Sequence, residues 1–174
     1  MWDAVELNDA VKVISYLEEY EEKQGEELKE TELYDRSGNS VLHKAASLGH
    51  ANILMLLLER TGAKPDLVNS SFATPLHLAV KNNRVDAAKF LIGCGVDANC
   101  QDEHGQGPLL ICSIHGHYEL TRMLIEASSS GLLPDPIEVD IKDHRGLSPL
   151  NCAAIKGDFD LVKLLVINGN STLD

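Results

Sequence analysis

The sequence predicts an all-α chain built as a stack of helix pairs, and three observations carry that prediction. One set of residue classes recurs around Leu42, Leu76, Leu109 and Leu150, at separations of 34, 33 and 41 residues. A period of this size marks an array of units that bury their apolar faces on one another. Just before each of these leucines stands a small residue followed by Val or Pro. After each come apolar residues at three- and four-residue spacing, the period of an α-helix.

Each element can be justified in turn. Seven residues before the anchors stand Asp35, Asn69, Asp102 and Asp143, and four before stand Gly38, Phe72, Gly105 and Gly146. Asp or Asn followed by Gly predicts a tight turn with one residue at positive φ. Two before the anchors stand Ser40, Thr74, Gly107 and Ser148, then Val41, Pro75, Pro108 and Pro149. A hydroxyl that accepts from orphan N–H groups, followed by Pro, predicts a helix start. Short first helices follow, such as 42–48 and 76–82. The small column Ala45, Ala79, Cys112 and Ala153 lets neighbouring helices approach closely. Gly49, Asn83, Gly116 and Gly157 predict left-handed helix ends. Second helices then carry Leu56-Leu57, Phe90-Leu91, Met123-Leu124 and Leu164-Leu165. The last of these, 159–167, stays apolar where a terminal repeat turns a polar face outward. That predicts a chain cut from a longer protein, or an edge covered by something.

Composition bounds the function classes. Of 174 residues, 44% are apolar and 24% charged, an ordinary globular mixture. No apolar run is long enough to span a bilayer. Residues 1–20 lack the basic start and apolar core of a signal peptide. Four scattered cysteines predict a reducing compartment and a cytoplasmic or nuclear location. The net charge is −12, of which residues 1–33 contribute −8 with eleven acids and three lysines. This field disfavours nucleic acid and makes a basic peptide the electrostatically easier partner. The acidic run in 18–32 also reads simply as a solvated connection.

The repeated columns resemble the ankyrin repeat. Residues 69–92 read NSSFATPLHLAVKNNRVDAAKFLI and residues 143–166 read DHRGLSPLNCAAIKGDFDLVKLLV. The resemblance covers 34–174 and reaches back weakly through Ala4-Val5, Asn8-Asp9 and Tyr16-Leu17, which look like an N-terminal capping unit. It implies an ankyrin-repeat solenoid: capping helices and an acidic connection in 1–33, then repeats near 34–67, 68–100, 101–140 and 141–174. The long third spacing places an inserted loop at 128–139, and this loop and the connection at 21–31 are the segments expected to be mobile. Phe72 departs from the pattern by replacing the turn Gly. Gly107 removes a hydroxyl cap worth about 1 kcal/mol. Leu110 and Asn151 replace the family's His, which stays as His43 and His77. The resemblance implies that each His bonds the hydroxyl of its turn, Ser40 or Thr74.

No catalytic motif is present: there is no phosphate loop, nucleophile elbow or helical H-E-x-x-H. Cys112, His115 and His117 have no standard zinc spacing. No metal or cofactor is expected, and the predicted function is a protein-interaction module, the monomeric domain of a larger chain. An atypical enzyme or small-ligand sensor with a pocket beside the insertion is the other reading. In the family, the turn tips and first helices line a concave surface. Carried over by column, this implies partner contacts at Leu48, Leu78, Lys81, Ile111 and Ile114, and at His115, Ile155 and Lys156. Phe72 and Arg145 join them at the turn tips. An exposed apolar stripe, Leu48, Phe72, Leu78, Ile111, Ile114 and Ile155, is expected to anchor a protein or peptide segment. Asn99, with Leu91 eight residues before it, is similar to the target of the asparaginyl hydroxylase that modifies ankyrin repeats.

Overall fold

The computed structural model describes residues 1–22 and 34–169, with side chains for 1–19 and 34–167. Most of the connection expected to be mobile, 21–31, lies outside the described residues. Ten helices are described: α1 Trp2–Glu6, α2 Ala10–Glu22, α3 Val41–Leu48, α4 Ala51–Thr61 and α5 Pro75–Lys81, then α6 Val85–Gly93, α7 Pro108–His115, α8 Tyr118–Ser129, α9 Pro149–Lys156 and α10 Phe159–Gly169. The odd-numbered helices stack on one another as an inner layer and the even-numbered ones as an outer layer. Among the described residues, sheet is limited to one antiparallel bridge, Tyr34 to Ser40.

The small column explains the close inner layer. Ala45, Ala79, Cys112 and Ala153 are all fully buried, so each inner helix meets its neighbour with almost no side chain between them. The outer helices supply bulk: Leu54, Leu57, Leu91, Leu120, Leu124 and Leu161 are fully buried. At about 1.5–3 kcal/mol for each large apolar side chain, burial between units is the main stabilising force. The N-terminal pair joins the same core through Ala4, Val5, Val13 and Leu17.

The turns repeat atom for atom. In each, the Asp or Asn side chain accepts two backbone N–H groups, as Asp102 Oδ1 does from His104 and Gln106 at 2.9 Å each. Asp35, Asn69 and Asp143 do the same in their turns. The turns then bond to one another through the backbone. Ser70 N–H donates to Ser37 O at 3.1 Å, Glu103 N–H to Ser71 O at 2.8 Å and His144 N–H to His104 O at 3.0 Å. Phe72 takes φ +59° where its sibling glycines take +70 to +80°. A bulky side chain in that region is strained by about 1–2 kcal/mol.

His43 and His77 do more than cap their own helices. Ser40 N–H donates to His43 Nδ1 at 3.2 Å, and Nε2 lies 2.9 Å from Ala73 O of the next repeat. Thr74 N–H donates to His77 Nδ1 at 3.1 Å, and Nε2 lies 3.1 Å from Gln106 O. Because Nδ1 accepts, Nε2 carries the proton and donates to the carbonyl. In the fourth repeat Asn151 Oδ1 takes the place of Nδ1, accepting from Ser148 N–H at 3.2 Å and from its hydroxyl at 2.9 Å. The third repeat has neither group: Gly107 offers no side-chain cap, and Leu110 is fully buried.

The inserted segment packs on the repeats. The outer helix of the third repeat, α8, runs on to Ser129, and the chain then folds back, burying Leu133 and Ile137 in the core. Ile137 N–H donates to Ser128 Oγ at 2.9 Å. Asn99 clips the far end: its Nδ2 donates to Pro136 O at 2.9 Å, and its Oδ1 accepts from Glu138 N–H at 2.8 Å. The Ser, Gly and Pro of the segment do not announce that Leu133 and Ile137 pack into the core.

Burial holds the His43 and His77 rings below the ordinary imidazole range, outweighing the carbonyl and carboxylate groups that favour the charged form. Both are neutral in the fold and take up protons on unfolding. Their contribution is complete above about pH 6.5 and is lost as pH falls below it. The urea midpoint should therefore drop between about pH 7 and pH 5. A His43→Asn, His77→Asn double variant, following the example of Asn151, should be less stable at pH 7 and show a flatter profile over that range.

Candidate functional site

The exposed face of the inner layer, with the turn tips beside it, holds the positions expected to contact a partner. Phe72 is 62% exposed at the second tip and Ile155 is 75% exposed on α9. Lys81, His115, Lys156 and Arg145 are exposed, while Leu48, Leu78 and Ile114 are half-buried. Ile111 corrects the expected exposed stripe. Only 4% of it is accessible, and it belongs to the core on a helix flanked by α5 and α9. The apolar surface is therefore interrupted: Phe72 stands at the tips, and Ile114 and Ile155 hold the same repeat position on adjacent helices.

Charged groups on this face fall into two kinds. Some are already used by the fold. Lys44 Nζ pairs with Glu6 of α1 at 2.7 Å, and Arg145 forks onto Asp143 Oδ2 at 3.0 and 3.1 Å. Asp143 is buried, and although burial works against its charged form, the Leu147 and Arg145 N–H groups and the guanidinium hold its carboxyl below the usual range. Lys81 and Lys156 form no ion pair among the described residues. Burial and the neighbouring His117, Lys156 and Lys81 lower the His115 imidazole. Its ring stacks on that of His117 with centroids 5.4 Å apart. Sequence reasoning missed Arg84, whose Nε donates to Ser47 O of the preceding repeat at 3.0 Å. It occupies the column of His50 and His117, where nothing in the pattern announces a contact back to the previous unit.

Little here suits chemistry on a substrate. Burial pushes the Cys112 thiol strongly up, and burial with the Asp97 carboxylate pushes Cys100 up to about 12, so neither is a ready nucleophile. Among the described residues, no group of three His, Cys, Asp or Glu is placed to hold a metal. Beside the insertion lies an open groove of about 380 Å³ lined by Arg122, Ile125, Glu126, Ser129, Ser130 and Leu164. Its guanidinium is already bonded to Glu119 at 2.8 Å and Glu126 at 3.1 Å.

Comparison with known proteins agrees with this architecture. A family model described as ankyrin repeats (3 copies) matches residues 1–102 and 76–173. The chain belongs to the ankyrin repeat family. It is 44% identical over 73 residues to the nuclear factor NF-kappa-B p105 subunit of Gallus gallus, covering 41% of this chain and 7% of that protein. With the same subunit of Rattus norvegicus it is 33% identical over 108 residues, 59% of this chain and 11% of that protein. With the target of rapamycin complex 2 subunit AVO2 of Saccharomyces cerevisiae it is 31% identical over 98 residues, 55% of this chain and 22% of that protein. The matches thus span less than a quarter of these relatives. Ankyrin repeats are in general protein–protein interaction modules, and typically scaffolds without enzymatic activity. No described helix is long and apolar enough to cross a membrane.

Burial separates the two kinds of apolar position on this face. Ile111→Asp places an unpaired charge in the core and should cost more than about 3 kcal/mol in urea denaturation. Ile155→Asp should stay within about 0.5 kcal/mol of the parent.

Proposed function

We propose that this ankyrin domain binds a segment of a partner protein across its turn tips and the exposed face of its inner helices. The observation that carries the reading is Phe72. An aromatic side chain stands 62% exposed in the left-handed backbone position that glycine fills in the sibling turns. The fold gains little burial from that ring, yet it tolerates the strain. Strain of this kind collects where a side chain serves an encounter. Phe72, Leu78, Ile114 and Ile155 supply apolar contact area, and Lys81, His115, Lys156 and Arg145 give it polar edges. Leu48 belongs to the same surface in the first repeat.

The acidity that favours a basic partner belongs mainly to residues 1–33. An enzyme or ligand sensor at the groove beside the insertion has no support of this kind, since the groove's charged groups already satisfy one another.

Phe72→Gly tests the reading. It should raise stability by about 1 kcal/mol by relieving the strain, while weakening peptides selected on the parent chain from a displayed random library by about tenfold. Selected peptides that bind Phe72→Gly and Ile155→Asp as tightly as the parent would sink the assignment of this face.

Asn99 is proposed as a modification site on the same chain. Its backbone N–H donates to Asp97 Oδ1 at 2.8 Å, so a hydroxyl added at Cβ would stand beside that carboxylate. Its amide holds the insertion, so modification requires that clip to open. Protein from mammalian-type cells should show one added oxygen on the Asn99 peptide by mass spectrometry, and a wholly unmodified peptide would remove the proposal.

A further inference from the structure

We propose that the inner-helix floor of the last three repeats docks an acidic, apolar-containing peptide segment, with its carboxylates among Lys81, His115 and Lys156 and an apolar side chain on Ile114 and Ile155. This deepens the interaction reading above and rests on it.

The argument is one of register. Five and six residues after the anchors, the first repeat presents Ser47 and Leu48, and the second Lys81 and Asn82. The third presents Ile114 and His115, and the fourth Ile155 and Lys156. These positions end α5, α7 and α9, which stack side by side. Two isoleucines therefore lie on neighbouring helices, with Lys81 on the preceding unit, Lys156 next to Ile155 and the His115 imidazole next to Ile114. Lys156 Nζ lies 4.0 Å from where a side chain would begin at Gly116, so its amine leans over the end of α7 next to His115. The influence of both lysines on the His115 ring places all three groups in one electrostatic neighbourhood.

The partner's charge follows from what these cations lack. On this acidic chain, Lys44 has Glu6, Arg122 has Glu119 and Glu126, and Arg145 has Asp143. The turn carboxylates Asp35, Asp102 and Asp143 are spent on their own N–H groups. Asp158 is the acid beside the floor, with Oδ2 3.8 Å from the start of a side chain at Gly116, and its Oδ1 caps α10 by accepting from Leu161 N–H at 3.0 Å. On the floor itself, Lys81 and Lys156 form no ion pair among the described residues and are the charges available to a partner there. Charges farther away than about 8 Å are screened at physiological salt, so the cations in contact with a docked segment decide the sign. A polyanion such as nucleic acid still meets the repulsion of the whole chain, which a short peptide with one or two carboxylates largely escapes.

The test uses the whole 174-residue chain and a displayed library of random peptides. The chain should select peptides with Asp or Glu within a few residues of a large apolar side chain. Their affinity, read by fluorescence anisotropy, should fall with added salt and by about tenfold in a Lys81→Glu, Lys156→Glu variant. The same library on that variant should select Lys or Arg instead. Circular dichroism verifies its fold, and Lys81→Gln, Lys156→Gln replaces it if needed, with loss in the same direction. Neutral or basic peptides, or acidic ones indifferent to the charge reversal, overturn the acidic assignment. If those peptides still weaken on Phe72→Gly or Ile155→Asp, the interaction reading stands without it. Peptides insensitive to every variant, or no enrichment on the parent, overturn both.

Discussion

Each repeat is held to the next by backbone groups that its own turn presents, and the rest of the molecule depends on that bond. The turn-to-turn N–H to carbonyl contacts recur at all three joints, between Ser70 and Ser37, Glu103 and Ser71, and His144 and His104. Hydrophobic burial supplies most of the energy but is indifferent to small slips of one helix on another. The directional bonds set the register. Only in that register do the alanines of the inner helices face one another and the leucines of the outer helices meet.

The histidine bridges show how this constraint is reinforced and where it can be relaxed. In the first two repeats the imidazole ties the start of its own helix to the turn carbonyl of the next unit. Each such bond is worth about 1 kcal/mol net, yet an unpaired carbonyl at a buried joint would cost more. At the third joint that link is gone, and Leu110 substitutes apolar burial for it. Gln101 supplies polar contact nearby, donating to Gly105 O at 2.6 Å and to Lys142 O at 3.2 Å. The same joint accommodates the insertion, pinned by Asn99 and by two buried side chains. The stack thus tolerates altered side chains and spacing wherever the backbone contact between turns survives.

The surface follows from the same geometry. Because the inner helices lie parallel in a fixed register, any column of the repeat becomes a row across the face. Columns that point between helices must be small or apolar, whereas columns that point outward are unconstrained by packing. Lys81, Ile155 and Lys156 occupy positions of the second kind. The fold therefore carries a packed scaffold and an outward surface in one sequence.

The sequence by itself determined the fold class, the turn–helix–loop–helix unit, the hydroxyl caps Ser40, Thr74 and Ser148 and the left-handed ends at Gly49, Asn83, Gly116 and Gly157. These are local properties, written in residues one to seven positions apart and repeated four times. It also marked Phe72 as out of place, since a broken column shows against its siblings. What tertiary structure decided lay between units. Ile111 and Ile155 look alike as apolar residues on exposed columns, yet contact with both neighbouring helices covers one and leaves the other open. The insertion read as a loose loop because its composition is loop-like, and only its path past Asn99 shows Leu133 and Ile137 turned inward. The pairing of Lys44 and Arg145, beside the unpaired Lys81 and Lys156, was equally invisible. Charges in a sequence have a sign but no distance, and electrostatic interaction depends on both.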